Sequence, residues 1–212
     1  MKKFRKDIAE SSTDADSKKQ FSRTLFDHFG FLAPFYEFFI PPKTSPEFIA
    51  EVNFPEGGLL LDAGGGTGRV AQFFHGQSRL IVVADESRSM LQEAVKKAGL
   101  CGVCAAAENL PFSPHTFDRV VMVDALHHVA DQAAACGELW RIVKPGGRVV
   151  IEEPDIRSFW VRLIALAEKL ALMRSHFLSP PQIVALFHFS GAGVRTGGSN
   201  ATALIVVKKT TI

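Results

Sequence analysis

Residues 62–68 read Asp-Ala-Gly-Gly-Gly-Thr-Gly and follow the short apolar run GLLLD. A helix-like stretch, TGRVAQFF, comes next. An open α/β sheet binds its ligands at such strand-to-helix junctions, beyond the carboxyl ends of the strands. The glycines let the backbone turn tightly and approach a ligand that a Cβ would exclude. The N-terminus of a following helix would add N–H groups that suit a carboxylate. A second apolar run, LIVVAD, ends at Asp85, which lies 85 − 64 = 21 residues beyond the first glycine. An acid at that distance meets ribose hydroxyls, and its two oxygens can chelate both.

The same spacing invites a dinucleotide reading. That fingerprint needs G-x-G-x-x-G/A. Started at Gly64, it ends on Arg69, a side chain that would obstruct close helix–strand packing. Started at Gly66, it runs Gly66, Gly68, Ala71 and leaves Asp62 without a role. The pattern D-x-G-x-G-x-G uses the acid and every second glycine, so a nicotinamide-dependent dehydrogenase stands only as the weaker alternative. Two histidines, His127 and His128, follow a fourth apolar run, FDRVVMVDA. An imidazole at that edge of a sheet could act as a base near neutral pH. Adjacent helical residues diverge by about 100°, so one of the pair faces a site at most. Packing under a loop is the bland reading of the other.

These residues need a frame. From residue 58, short apolar runs alternate with helical patterns: GLLLD, LIVVAD, the weaker CGVCAAA, FDRVVMVDA and, after a KPGG turn, GRVVIEE. The helices between them are TGRVAQFF, SMLQEAVKKAG and DQAAACGELWRIV. Such alternation gives a doubly wound, mainly parallel α/β sheet covered on both faces. A long helix over about 157–174 follows, and GVRTGGSNATALIVVKK reads as an antiparallel hairpin around a Gly-Gly-Ser-Asn turn, making seven strands. Residues 1–20 read as a flexible arm and 21–212 as one domain. Within it, 21–54 holds nine of the 18 phenylalanines in helical pieces broken by Pro34 and Pro41-Pro42, an entry segment or lid. Residues 58–154 form the binding core, and 155–212 the closing helices and hairpin.

Composition restricts the partners. A chain of 212 residues with 47% apolar and 22% charged content fits one globular domain. A net charge of +2 gives no electrostatic reason for nucleic acid or an anionic membrane. The first twenty residues carry no apolar run, so they do not read as a secretory signal. The most apolar helix, 160–173, is interrupted by Arg162, Glu168 and Lys169, so no membrane span is expected. Three cysteines form no even disulfide framework, which fits a reducing cytoplasm. Cys101 and Cys104 make a lone C-x-x-C in a strand, where residues three apart face opposite ways; two small buried hydrophobes are expected there, and no metal site.

Four stretches, LLLDAGGGTGRV, VVADESRSML, ENLPFSPHTFDRVVMVDALHHVAD and LWRIVKPGGRVVIEEP, stand in the order of the class I S-adenosylmethionine methyltransferases. They cover most of residues 59–154 and resemble most the branch containing the ubiquinone and menaquinone biosynthesis methyltransferases. The resemblance implies a Rossmann-like fold and S-adenosylmethionine as cofactor. It implies that Asp62, Ala63, Gly64, Gly65, Gly66 and Gly68 wrap the methionine end. It places Asp85 on the ribose, Glu86 and Ser87 beside the adenine, Ala107 and Glu108 at the adenine edge, and Asp124 near the methionine and the substrate. One departure stands out. Family members often carry an acid where this chain has Ala106, so adenine recognition is expected to weaken or to pass to a backbone carbonyl, water or Glu108.

The sulfonium is already an activated electrophile, so the protein must mainly align a nucleophile with the methyl group and exclude water. An acidic hydroxyl or enol acceptor also needs a base, for which His127 and His128 are the candidates. Tyr36, the only tyrosine, could reach a substrate from the entry segment. Cytosine C5 methylation needs a nucleophilic cysteine, but Cys136 reads as a buried helix residue. The Pro-Pro-aromatic motif of amino-group nucleic-acid methylation is replaced by Asp124-Ala-Leu-His. A small apolar or aromatic acceptor is expected, with a non-catalytic cofactor-binding regulator as the alternative. The sequence leaves the oligomeric state open.

Overall fold

The structure, a computed structural model, describes residues 44–170, 175–199 and 201–210. Helix α1 is Pro46–Val52, followed by β1 Leu59–Ala63, β2 Leu80–Asp85, α2 Arg88–Ala94, β3 Leu100–Cys104 and β4 Phe117–Val123. Then come α3 Gln132–Ile142, β5 Val143–Pro154, α4 Phe159–Leu170, α5 Pro180–Ala185, β6 Ala192–Ser199 and β7 Thr202–Lys209. The seven strands lie in the order β3-β2-β1-β4-β5-β7-β6. The first five are parallel, and β7 runs antiparallel to both β5 and β6. The doubly wound sheet with its antiparallel terminal hairpin is therefore as the sequence pattern indicates. Chain order reverses between β1 and β4, and a ligand crevice forms where neighbouring connections leave in opposite directions.

Successive strand residues serve opposite faces. Leu61, Val82, Val120, Met122, Val149 and Ile151 pack with Cys136, Leu139 and Ile142 of α3 and Ile183 of α5. Leu60, Ile81, Val83, Val121 and Val150 pack on the other face with Phe48 and Val52 of α1, Phe74, and Leu91 and Ala94 of α2. Because both faces are covered, the strands read as continuous apolar runs rather than alternating ones.

Local chemistry sets the ends of α1. Ser45 caps its start by accepting from the Phe48 N–H at 3.0 Å, and Pro46 occupies the first turn, where no N–H is needed. Asn53 closes the helix at φ 41°, and Arg119 of β4 donates to the carbonyls of Val52 (2.6 Å) and Asn53 (2.7 Å). At the other end, the Ser45 hydroxyl donates to Glu152 near the carboxyl end of β5, at 3.5 Å. Ser45 therefore lies at the carboxyl edge of the sheet. Phe48 is fully buried against the sheet, and Phe54 meets Phe74 with ring centroids 6.0 Å apart.

Several local expectations are corrected. TGRVAQFF forms turns and a 3-10 helix at Ala71–Phe74, because the glycine loop consumes the residues of a first α-turn. KPGG is no simple turn before a strand: β5 begins at Val143, and residues 144–147 form a bulge, with Phe117 opposite Val143 and Arg119 opposite Arg148. The hairpin closes between Ser199 and Thr202, so Gly197, Gly198 and Ser199 belong to β6 rather than to the turn. Neither Cys101 nor Cys104 is fully buried: Cys101 is half-buried, and Cys104 is exposed with its thiol 3.4 Å from the Glu86 carbonyl. Among the described residues no helix is long and apolar enough to cross a membrane, and no cluster of His, Cys, Asp and Glu could hold a metal.

Candidate functional site

The loop after β1 is built from backbone bonds to β2. Gly64 and Gly65 donate to the Ala84 carbonyl at 2.7 and 3.3 Å, and Gly68 donates to Gly65 at 2.8 Å. Gly64 adopts φ 67°, and a Cβ on it would come within 2.6 Å of the Ala125 Cβ. The loops after β1 and β4 therefore touch, and only glycine permits that approach. Gly66 adopts φ 54°, and its N–H donates to Asp85 Oδ2 at 2.9 Å. The Ser87 N–H donates to Asp85 Oδ1 at 2.8 Å. Asp85 thus ties the glycine loop to the start of α2. A carboxylate oxygen accepts more than one hydrogen bond, so this role is compatible with holding a ribose as well.

Asp62 lies beneath the loop, 1% exposed, with Oδ2 accepting from the Ala71 N–H at 3.2 Å. It supports the loop from below, while Ala63 is the buried last residue of β1. Burial pushes the Asp62 carboxyl up to about 7, against the lowering pull of Arg69 and the Ala71 N–H. The folded protein therefore holds this proton more firmly than the unfolded chain, whose value is 3.8. Stability falls as pH rises from 3.8 to about 7, and the cost persists above. Asp62→Asn keeps an acceptor for Ala71 and removes the charge. It should stabilise the unliganded protein at pH 8 by up to about 4 kcal/mol, and by less at pH 5, as read by thermal melts. A gain that does not grow with pH would contradict the buried-charge account.

Arg69, 7% exposed, pairs its guanidinium with Asp124. The side chain that spoils the dinucleotide fingerprint is thus a strut between the loops after β1 and β4. Asp124 closes β4 at φ 51°, an uncommon angle for a residue with a side chain. Glu86 is exposed and Ala107 partly buried. Glu108 Oε1 accepts from the N–H groups of Ala130 and Asp131, each at 3.2 Å. That oxygen braces the entry to α3. Arg141 of α3 fixes the same stretch, donating to the Phe112 and Leu110 carbonyls at 2.7 and 3.0 Å while paired with Glu138.

His127 and His128 occupy a 3-10 turn, Leu126–His128. They separate as adjacent residues must: His127 is buried and His128 half-exposed. The two rings still lie 4.0 Å apart. His127 Nδ1 lies 2.5 Å from Glu153 Oε2, and its ring stacks on Phe177 at 4.4 Å. Glu153 Oε1 accepts from the N–H groups of Ala125 (2.9 Å) and Leu126 (2.7 Å). The sequence gives no local signal for Glu153 or Phe177, and Arg69 reads there only as an obstruction to close packing. Burial pushes the Cys136 thiol up to about 12, with nearby Glu153 adding to the effect, so it is no thiolate nucleophile. Tyr36 lies outside the described residues.

A glycine loop, a strand-end acid tied to it, and a polar loop after β4 lie together at the switch point of a 3-2-1-4-5-7-6 sheet. Residues 61–151 match the methyltransferase domain family. Over this core the chain is similar to the ubiquinone/menaquinone biosynthesis C-methyltransferases. It is 37% identical to the ubiquinone/menaquinone biosynthesis C-methyltransferase UbiE of Haemophilus ducreyi, over 46% of this chain and 42% of that protein. To UbiE of Escherichia coli O1:K1 it is 36% identical, over 46% and 43%. The chain thus spans less than half the length of these relatives. In fold it is similar to a putative methyltransferase solved in complex with the Haloferax volcanii Trm112 methyltransferase activator, with TM-score 0.75, 17% identity, and coverage of 89% of this chain and 100% of that one. A Thermotoga maritima protein, described as a possible histamine N-methyltransferase, superposes with TM-score 0.64 at 25% identity, over 77% and 89% of the two chains. S-adenosylmethionine is the cofactor that family and fold imply.

Proposed function

We propose that the protein transfers the methyl group of S-adenosylmethionine to a small, apolar or aromatic acceptor. The observation that supports this reading is the Asp85 carboxylate, which accepts from the Gly66 N–H and so ties the strand-end acid to the glycine loop at the switch point. In this reading Asp62, Ala63, Gly64, Gly65, Gly66 and Gly68 form the methionine wall, Asp85 holds the ribose, and Glu86, Ala107 and Glu108 flank the adenine. Asp124 stands between cofactor and acceptor. His127 and His128 supply the base for an acceptor that carries a proton. The entry segment read over residues 21–54 includes Tyr36, which with the rest of 21–43 lies outside the described residues. That the relatives are named for C-methylation in quinone biosynthesis supports an aromatic acceptor here.

The test has two arms. Calorimetry with S-adenosylhomocysteine and with NADH should show binding of the first alone. A screen of small aromatic acceptors with labelled donor should then show transfer; binding without transfer on any acceptor would favour a cofactor-sensing regulator. On an acceptor so identified, His127→Gln should cost about 10²–10⁴ in kcat while leaving S-adenosylhomocysteine affinity unchanged. Near-normal turnover of both His127→Gln and His128→Gln would leave the two rings as packing.

A further inference from the structure

Asp62 is buried beneath the glycine loop, yet a single hydrogen bond reaches its carboxyl among the described residues, from the Ala71 N–H to Oδ2. Oδ1 has no donor among them. Arg69, whose charge acts on Asp62, pairs its guanidinium with Asp124 instead. A buried carboxylate with an idle oxygen is costly. Bracing Ala71 does not account for it, because an asparagine would accept from the same N–H with no charge to bury. The carboxyl lies directly against the loop: a Cβ on Gly65 would come within 2.6 Å of Asp62 Cγ. Burial raises its proton affinity most, Arg69 and the Ala71 N–H lower it, and Asp85 of β2 raises it again. Asp124 of β4 and Glu152 of β5 draw on the same Arg69 charge. Lys97, just beyond α2, reaches the loop at the Thr67 carbonyl, 2.5 Å away. An orphaned buried acid against this loop fits a ligand that brings positive charge to it.

We propose that Asp62 ionises as the methyl donor binds and so reads the charge on the ligand's sulfur, favouring S-adenosylmethionine over S-adenosylhomocysteine. This rests on the methyltransferase reading above, which sets the methionine end along residues 62–68. The donor carries a sulfonium where the product carries a neutral thioether, and the two are otherwise alike apart from the methyl group. The field acts through the loop backbone, so no contact with Asp62 is required. Held at about 7 in the free protein, the carboxyl is close to half ionised at neutral pH, and a modest pull decides its state. As the donor binds, the carboxyl O–H bond breaks, its proton passes to solvent, and the carboxylate offsets the sulfonium. In transfer the carbon–sulfur bond breaks with its electron pair on sulfur, so the positive charge leaves with the methyl group. Asp62 then takes a proton back from solvent, and the attraction that held the donor is not extended to the product. The coupling is reciprocal: a ligand that favours the ionised acid is itself favoured by it. At low pH the acid is protonated in both complexes and does not distinguish them. As pH rises, the donor complex ionises first and its advantage grows, levelling off once the product complex has ionised too.

Side-chain ¹³C spectra of the full chain should show Asp62 titrating near neutral pH when free, and at lower pH with S-adenosylmethionine bound than with S-adenosylhomocysteine. Calorimetry at neutral pH, in buffers of different ionisation enthalpy, should show more proton release with the donor than with the product. The ratio of product Kd to donor Kd should rise about threefold to tenfold between pH 5 and pH 8. Asp62→Asn keeps the Ala71 bond and should lose that rise. The ligands' own amino groups titrate alike in both proteins, so the difference between the two ratios belongs to Asp62. The spectra and the proton release need only the wild type, so they decide the matter even if the variant does not fold. An Asp62 already ionised at pH 5 in the free protein, equal proton release with the two ligands, or a rise that persists in Asp62→Asn would each overturn the proposal. Binding of neither ligand to the wild type would instead sink the methyltransferase reading beneath it.

Discussion

Asp85→Ala should weaken S-adenosylhomocysteine binding tenfold or more. Two kinds of contact are lost together. The first are the two ribose hydroxyl bonds assigned to Asp85, which as charge-assisted bonds are worth at most about 1.5–3 kcal/mol each. The second are the anchors of the binding loop itself, the Gly66 N–H at 2.9 Å and the Ser87 N–H at 2.8 Å. Removing them lets the loop relax before the ligand arrives, so part of the binding energy must re-order it. Gly66→Val should do at least as much harm. A Cβ at Gly66 meets nothing closer than Asp85 Oδ2 at 4.0 Å, so the damage is not a clash within the protein. It comes from forcing a β-branched residue to φ 54°, at about 1–2 kcal/mol, and from filling space on the ligand side. Calorimetry on both variants decides the matter, and unchanged affinity in both would mean that the cofactor binds elsewhere.

The sheet was legible in the sequence because burying strands on both faces leaves a signal no other element leaves: short uninterrupted apolar runs with turn residues between them. Asp85 was legible because its distance from the loop is fixed by one strand–helix–strand unit. The supports of the site were hidden. Glu153 sits in a pair of acids at a strand end, which reads as a solvated terminus. Only the neighbour relation of β4 and β5 turns it toward the loop after β4. Arg69 was read as an obstruction, yet it spans the switch point to Asp124, a partner 55 residues away. Glu108 points where the N–H groups of Ala130 and Asp131 need an acceptor, which motif matching cannot see. In each case the missing information is long-range pairing: local pattern sets an element's type, whereas a polar side chain's partner depends on which elements are adjacent. The same reasoning explains Cys104. Its strand is the sheet edge, so a position expected inside lies at the surface.

Helix α4 should carry the acceptor's apolar wall, and two substitutions on it should cripple methyl transfer without touching cofactor affinity. Phe159, Trp160, Leu163 and Leu166 are 66, 71, 44 and 54% exposed, a contiguous stripe at helical spacing. No packing within the described fold requires it. A stripe of this kind marks a surface that meets something apolar. The helix follows β5 at the carboxyl edge of the sheet, and Ser45 meets Glu152 at that same edge. The sequence reading of 21–54 as an entry segment or lid, of which 21–43 lie outside the described residues, is tested together with the stripe. Trp160→Glu with Leu163→Glu should change folding stability little, because exposed sites away from packed features usually shift it by only about 0.5 kcal/mol. Each loses the burial of one large apolar side chain, about 1.5–3 kcal/mol, so kcat/KM for an apolar acceptor should fall on the order of 10–100-fold per substitution. Removing residues 1–20 should be silent, whereas removing 1–40 should abolish transfer and spare some S-adenosylhomocysteine binding. Full activity in the double variant, or in a folded chain beginning at residue 41, would show that the acceptor is held without this cover.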